Sequence, residues 1–255
     1  TTAQATLTIT GPASATYGEA DYDITVEGAV STGALTFDAG SSTACSIDAG
    51  KLHVDSGSGT CAITASKAGD TNYTADTSDP FTVAVHKATQ SIDFGLLADK
   101  DYGDPAFTVS ATASSTLQVS FGASGKCSIV GTTVEITGAG TCTITASQAG
   151  NDNYAAATPA SRTFTIAPAS QATLTITGPA SATYGHADYA ITTSGGSGTG
   201  AVTFEDGTSP GCSIVDNKLH VDSGSGTCAI TATKAADANY TSTTSAPYTV
   251  TISMG

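Results

Sequence analysis

The sequence predicts an all-β chain of three tandem β-sandwich domains, and three observations predict it. Apolar residues alternate with Thr and Ser over short runs such as "ATLTIT" and "KLHVD". The same block returns three times, as "GSGTCAITASKAGDTNY", "GAGTCTITASQAGNDNY" and "GSGTCAITATKAADANY". Six cysteines fall as one pair in each block-bearing segment. A catalytic centre rarely needs three copies, whereas a repeated building unit does.

Each strand follows from local pattern. In the first repeat, "ATLTIT" places Ala5, Leu7 and Ile9 on one face, and "YDITV" does so with Tyr22, Ile24 and Val26. "ALTFD" contributes Leu35 and Phe37, "CSID" Cys45 and Ile47, and "KLHVD" Leu52 and Val54. "TCAITA" contributes Cys61, Ile63 and Ala65, and "FTVAV" Phe81, Val83 and Val85. Turn signals such as "GP", "DAG" and "SGSG" separate these seven runs. Strict alternation predicts one buried and one wet face, hence antiparallel sheets rather than crossover units. Seven short strands in about 85 residues fit a two-sheet, immunoglobulin-like sandwich. The middle repeat obeys the same plan with Ile92 and Phe94, Phe107 and Val109, Val119 and Phe121, Val134 and Ile136, and Phe164 and Ile166.

The repeats are ordered A–B–A′. "QATLTITGPASATYG" at 4–18 recurs verbatim at 171–185, and "KLHVDSGSGTCAIT" at 51–64 recurs verbatim at 218–231. The two shifts are equal, so the outer repeats match without net insertion between these landmarks. Boundaries fall near 87 and 169, giving domains 1–87, 88–169 and 170–255, joined by the short stretches "HKAT" and "APAS". Linkers this short predict an extended rod. Each unit would span roughly 40 Å, from strands of about 6–8 residues.

Composition excludes several classes of function. Of 255 residues, 22 are acidic and 8 basic, a net charge of −14. That is the wrong sign for nucleic acid or an anionic membrane surface. Mean hydropathy is +0.05, and no apolar run reaches the length of a membrane span. Thr1 opens the chain without a basic, apolar leader, as expected of a mature form or a fragment. No Ser-His-Asp order, paired catalytic carboxylates or phosphate loop stands out, so no enzyme and no cofactor is predicted.

The cysteines fall as Cys45/Cys61, Cys127/Cys142 and Cys212/Cys228, at nearly the same spacing in every repeat. Parity puts both members of each pair on the apolar face, which reads as three disulfides. The alternatives are reduced buried thiols or a metal site, the latter lacking a third inward ligand. A meander in one sheet would leave the two cysteine strands about 9.5 Å apart, beyond the roughly 7 Å that a disulfide tolerates. The chain is therefore expected to change sheets between Leu52 and Cys61, making the bridge a staple between sheets. Acidic turns at Asp70, Asp152 and Asp237 are weak Ca²⁺ candidates, with turn formation the plainer reading. Asp21, Asp104 and Asp188 after "YG" are similar. His53 and His220 read as partnerless surface histidines. The recurring Asn-Tyr reads as a corner that closes each sandwich on itself.

"YGDPAFTVSATAS", "CSIVGTTVEITGAGTCTITASQAGNDNYAAA" and "SRTFTIAP" resemble the tandem bacterial immunoglobulin-like repeats of MBG or YDG type. The resemblance covers the whole chain and is strongest in the middle repeat. It implies an extracellular, cell-surface setting in a long, adhesin-like protein, with the repeats acting as structural spacer, stalk or fibre. The implied partners are adjacent immunoglobulin-like repeats of the same or neighbouring chains, and host or cell-surface glycans or proteins. The alternative is a glycan- or protein-binding module, with "VEGAVSTGAL" and "TTSGGSGTGAV" as its only distinctive loops. The chain has no Trp, so the Cys…Trp…Cys core of antibody domains does not carry over.

Overall fold

The computed structural model describes residues 1–255, and its regular structure consists of strands with no helix. No helix is long and apolar enough to cross a membrane. The chain divides into two compact units. The first comprises Thr1–Gly95, Ser110–Ser120 and Thr145–Ala160, and the second Leu96–Val109, Phe121–Ile144 and Ser161–Gly255. The repeat boundaries at 87 and 169 thus fall inside the units. The physical reason is that the chain crossing each boundary is hydrogen-bonded to the next repeat, as described below.

In the first unit, Thr8–Thr10 pairs antiparallel with Thr25–Glu27, setting Ile9 opposite Val26. Leu35–Asp38 pairs with Ala62–Lys67, which also takes Asp76–Thr77 and Phe81–Thr82. Cys45–Asp48 and Lys51–Val54 form a tight hairpin. Its two loop residues, Ala49 and Gly50, have φ of 47° and 81°, the paired positive angles of a type I′ turn that matches strand twist. Ile9, Ile24, Leu52, Val54, Ile63 and Val83 form the core with both cysteines. Ile92–Phe94 pairs with Ala111–Ala113.

In the second unit, Phe107–Thr108, Thr133–Ile136 and Cys127–Val130 form one sheet. Tyr189–Ala190, Lys218–Val221 and Cys212–Val215 build the same sheet in the third repeat. Gly226–Lys234 is the central strand of that repeat, flanked by Tyr248–Ser253 and Val202–Glu205. Leu219, Ile230 and Val250 are fully buried there.

Two expectations need correction. The sheets are not purely antiparallel. Ser14–Thr16 runs parallel to Ala84–His86, Lys100 and Asp101 parallel to the strand at Ile166, and Ser181–Thr183 parallel to Tyr248–Ser253. In the first and third repeats a Gly-Pro pair, Gly11-Pro12 or Gly178-Pro179, ends the opening strand. The proline lacks an N–H for the ladder, and the chain re-enters beside the last strand of the same repeat. The second correction concerns Ala5 and Leu35, which are exposed, whereas Gln4 is buried. The inward alternation begins only at Leu7.

Candidate functional site

The cysteines pair within repeats, with Cα–Cα distances of 5.4 Å for Cys45–Cys61, 5.6 Å for Cys127–Cys142 and 5.9 Å for Cys212–Cys228. No cysteine is free. In the second and third repeats the two bridged strands belong to different sheets, and Cys61 directly precedes Ala62–Lys67, which lies in a different sheet from Cys45–Asp48. Each bridge is therefore a staple across a sandwich, contributing about 3 kcal/mol in the chain-entropy model for a loop of this length.

The acidic turns resolve into hydrogen-bonded corners. Asp70 Oδ1 accepts the amides of Asn72 and Tyr73, and its Oδ2 accepts the amide and hydroxyl of Thr32. Asp237 accepts the same four donors from Asn239, Tyr240 and Thr199. The amide of Thr32 first, then those of Asn72 and Tyr73, hold the Asp70 carboxyl down at about 2. Thr199 and Asn239 lead in holding Asp237 at about 2. These oxygens are occupied by the protein itself, so the Ca²⁺ reading has no support in their geometry. Nowhere do three or more His, Cys, Asp or Glu side chains gather as a metal site. Asp152 is not the counterpart of Asp70. In the middle repeat Asn151 accepts the amides of Asn153 and Tyr154, because the residue three before the tyrosine makes the turn, and there it is Asn151.

Sequence reasoning missed a glutamine beside each corner, buried at Gln4 and Gln171 and half-buried at Gln90. Gln4 donates to the carbonyls of Lys67 and Thr74 and accepts the amide of Ser31. Gln171 donates to the carbonyls of Ala235 and Thr241. Gln90 donates to Gln148 and the carbonyl of Ala155, and accepts the Ser115 hydroxyl. Their signal was a Gln at a fixed place at the start of every repeat, just ahead of the first run that reads as strand.

The histidines also gain partners. His53 Nδ1 lies 2.7 Å from Asp21 Oδ1, and His220 Nδ1 lies 2.7 Å from Asp188 Oδ1. The hydrogen bond to the Asp carboxylate is the main reason both imidazoles titrate above their usual value. Asp104 does not belong with this pair; it accepts the amide of Asp101. In the middle repeat Glu135 stands opposite Ser128, as His53 stands opposite Ser46.

The Asn-Tyr corner serves a purpose other than self-closure. In the first unit, Ala88 donates to the carbonyl of Asn153 and accepts the amide of Ala155. The Asn153 side chain accepts the amide of Gly57 at 3.3 Å. The ring of Tyr154 meets Tyr17 edge to face, with centroids 5.6 Å apart. In the second unit the set recurs. Ala169 bonds to Asn239 and Thr241, the Asn239 side chain accepts the amide of Ala139 at 2.9 Å, and Tyr240 meets Tyr102 at 5.4 Å. The corner therefore grips the incoming linker residue and faces the preceding repeat.

No protein-family model matches this chain, and a search of curated proteins gives no match. Solved structures of tandem β-repeat ectodomains are similar in outline only. Drosophila N-cadherin EC1-4 aligns over 96% of this chain and 71% of that one, at 7% identity and a TM-score of 0.34. Sidekick-1 immunoglobulin domains 1-4 align over 99% and 72%, at 11% and 0.35. Mouse Cadherin-23 EC22-24 aligns over 98% and 100%, at 11% and 0.33.

Proposed function

We propose that this chain is a structural spacer, a stalk or fibre segment of an extracellular bacterial surface protein, with no catalytic activity. The observation that carries the reading is the junction built twice from the same parts: a gripped linker residue, an Asn side chain on a backbone amide, and a tyrosine pair. Such a joint holds successive repeats in register, which a spacer needs and an enzyme does not. The three disulfides suit an oxidising, extracellular compartment. The bacterial assignment rests on the resemblance of the middle repeat to MBG/YDG-type repeats.

The binding-module alternative loses its loops to structural work. Ser31 and Thr32 tie one to Ala68 and Asp70, and Thr199 ties the other to Asp237. A groove of about 610 Å³ lined by Gly57–Ala62 and Thr82–Val85 offers no acid, base or activated nucleophile. Small-angle scattering of dilute chain tests the spacer. A compact globule of this length would have a radius of gyration of about 18 Å by the usual scaling. A spacer should exceed that about twofold, and the globular value would refute it.

A further inference from the structure

The first and third repeats share the segment "KLHVDSGSGTCAIT" letter for letter, at 51–64 and 218–231, yet it is held differently in each. In the third repeat Gly226, Thr227, Cys228, Ala229 and Ile230 all pair with the last strand, Tyr248–Ser253. In the first repeat only the counterparts of the last two do so, Ala62 with Thr82 and Ile63 with Phe81. Beyond them the amide of Val83 still reaches the carbonyl of Cys61. The last strand is broken there into Phe81–Thr82 and Ala84–His86, whereas Ala160–Ala167 and Tyr248–Ser253 run unbroken. The groove lined by Gly57–Ala62 and Thr82–Val85 is the gap that this leaves.

One side chain accounts for the difference. The loop before the first cysteine is built alike in both repeats. The amides of Ser42 and Ser209 donate to the carbonyls of Ala39 and Asp206, and their hydroxyls accept the amides of Ala62 and Ala229. Two positions before the cysteine, however, stand Thr43 in the first repeat, Gly125 in the second and Pro210 in the third. Thr43 donates its amide to the carbonyl of Thr60, and its hydroxyl accepts the Thr60 amide at 3.3 Å. A Cβ added at Gly59 would lie 2.5 Å from that hydroxyl, whereas one at Gly226 would meet nothing within 4 Å. Thr43 thus draws Gly59–Cys61 sideways, away from the last strand. Pro210 has neither an N–H nor a hydroxyl with which to do so. Docking of the next repeat is not the cause. The loop of the second repeat also meets an asparagine, at Ala139, and its strand still begins at Gly140, the counterpart of Gly59.

In every repeat the last strand also carries a parallel neighbour from near the start of that repeat. A pull on the two chain ends draws such a pair past each other and strains its hydrogen bonds together. The last strands of the second and third repeats have a neighbour on each edge, whereas Ala84–His86 has only its parallel partner. We propose that the first repeat is a built-in extension joint, which opens before the other two when the chain is put under tension, and that Thr43 sets this order. The inference rests on the spacer reading and adds how the spacer yields under load.

Constant-force spectroscopy of the whole chain, held by tags at both ends, tests it. Forced unfolding reports the unfolding rate. The ladder bonds missing from the first repeat should make it open about tenfold faster than the others at one force. The parent should therefore give one fast step and two slow ones. Thr43→Pro, which installs the residue of the third repeat, should remove the fast step. The reverse exchange, Pro210→Thr, should create a second fast step, and it does not depend on how the first repeat tolerates proline. Three steps in a trace show that every repeat of a variant is folded. Cys45→Ala with Cys61→Ala frees a loop whose ends are 16 residues apart and should lengthen the fast step by about 50 Å. Three like steps in the parent overturn the proposal. So do exchanges that leave the rates unchanged, or a lengthened step that is not the fast one. Scattering reads the unloaded chain separately. A globular radius of gyration would refute the spacer and leave the order of opening standing, and three like steps from an elongated chain would do the converse.

Discussion

Asp70 and Asp237 show what a single side chain decides here. Each carboxylate accepts four hydrogen bonds and sits at about 2. A carboxyl whose folded value is lowered adds stability above its unfolded value, about 4, and that stability is lost as pH falls through the folded value. The first and third repeats should therefore melt progressively lower between about pH 4 and pH 2. Asn151 does not titrate, so Asp70→Asn with Asp237→Asn should flatten that acid limb in a calorimetric pH series; an unchanged limb would place the acid sensitivity elsewhere. The histidines work in the opposite sense. Their values are raised by Asp21 and Asp188, so their contribution is whole below about 6.5 and lost as pH rises through the folded value. NMR titration should place His53 above the free imidazole value, and Asp21→Asn should lower it. In the sequence His53 looked partnerless because Asp21 lies far away along the chain, and only the pairing of Tyr22 with Leu52 brings the two strands together.

Among the elements, the strand hairpins were the most legible. Cys45–Asp48 and Lys51–Val54 form where alternation and the "DAG" turn place them. Their order in sheets was less so. The expectation that the chain changes sheets before Cys61 came from distance alone, and the strand that directly follows Cys61 does lie in a different sheet from Cys45–Asp48. Replacing Cys45 and Cys61 together by Ala should remove about 3 kcal/mol from the first repeat and lower its transition by roughly ten degrees or more. A smaller fall would show that the reduced, unfolded repeat keeps residual structure. The parallel pairing of Ser14–Thr16 with Ala84–His86 escaped the pattern. Alternation fixes which face of a strand is buried but not which neighbour it pairs with. Gln171→Ala tests the glutamine braces. Leaving the carbonyls of Ala235 and Thr241 without a donor should cost about 1–3 kcal/mol, read as a lower melting temperature of the third repeat.

At the scale of the molecule, each compact unit contains a joint between repeats, so stability is expected to be a sum of repeat and neighbour terms. Tyr154→Ala removes the ring that meets Tyr17 and should weaken the coupling. Calorimetry should then resolve transitions that overlap in the parent, by about 0.5–1.5 kcal/mol of lost coupling. A variant whose profile keeps its shape would show that the gripped linker residue alone joins the repeats.

The sequence by itself determined the all-β class, the three repeats, the three cysteine pairs and the absence of any recognisable catalytic pattern. These follow from short-range periodicity and from near-verbatim copying, which survive without coordinates. Tertiary structure decided what the Asn-Tyr motif is for. Tyr154 meets Tyr17 and Asn239 meets Ala139, each across a repeat boundary. No local pattern encodes contacts at that separation, because the two halves of each joint are specified independently. They become one feature only when consecutive repeats are packed together.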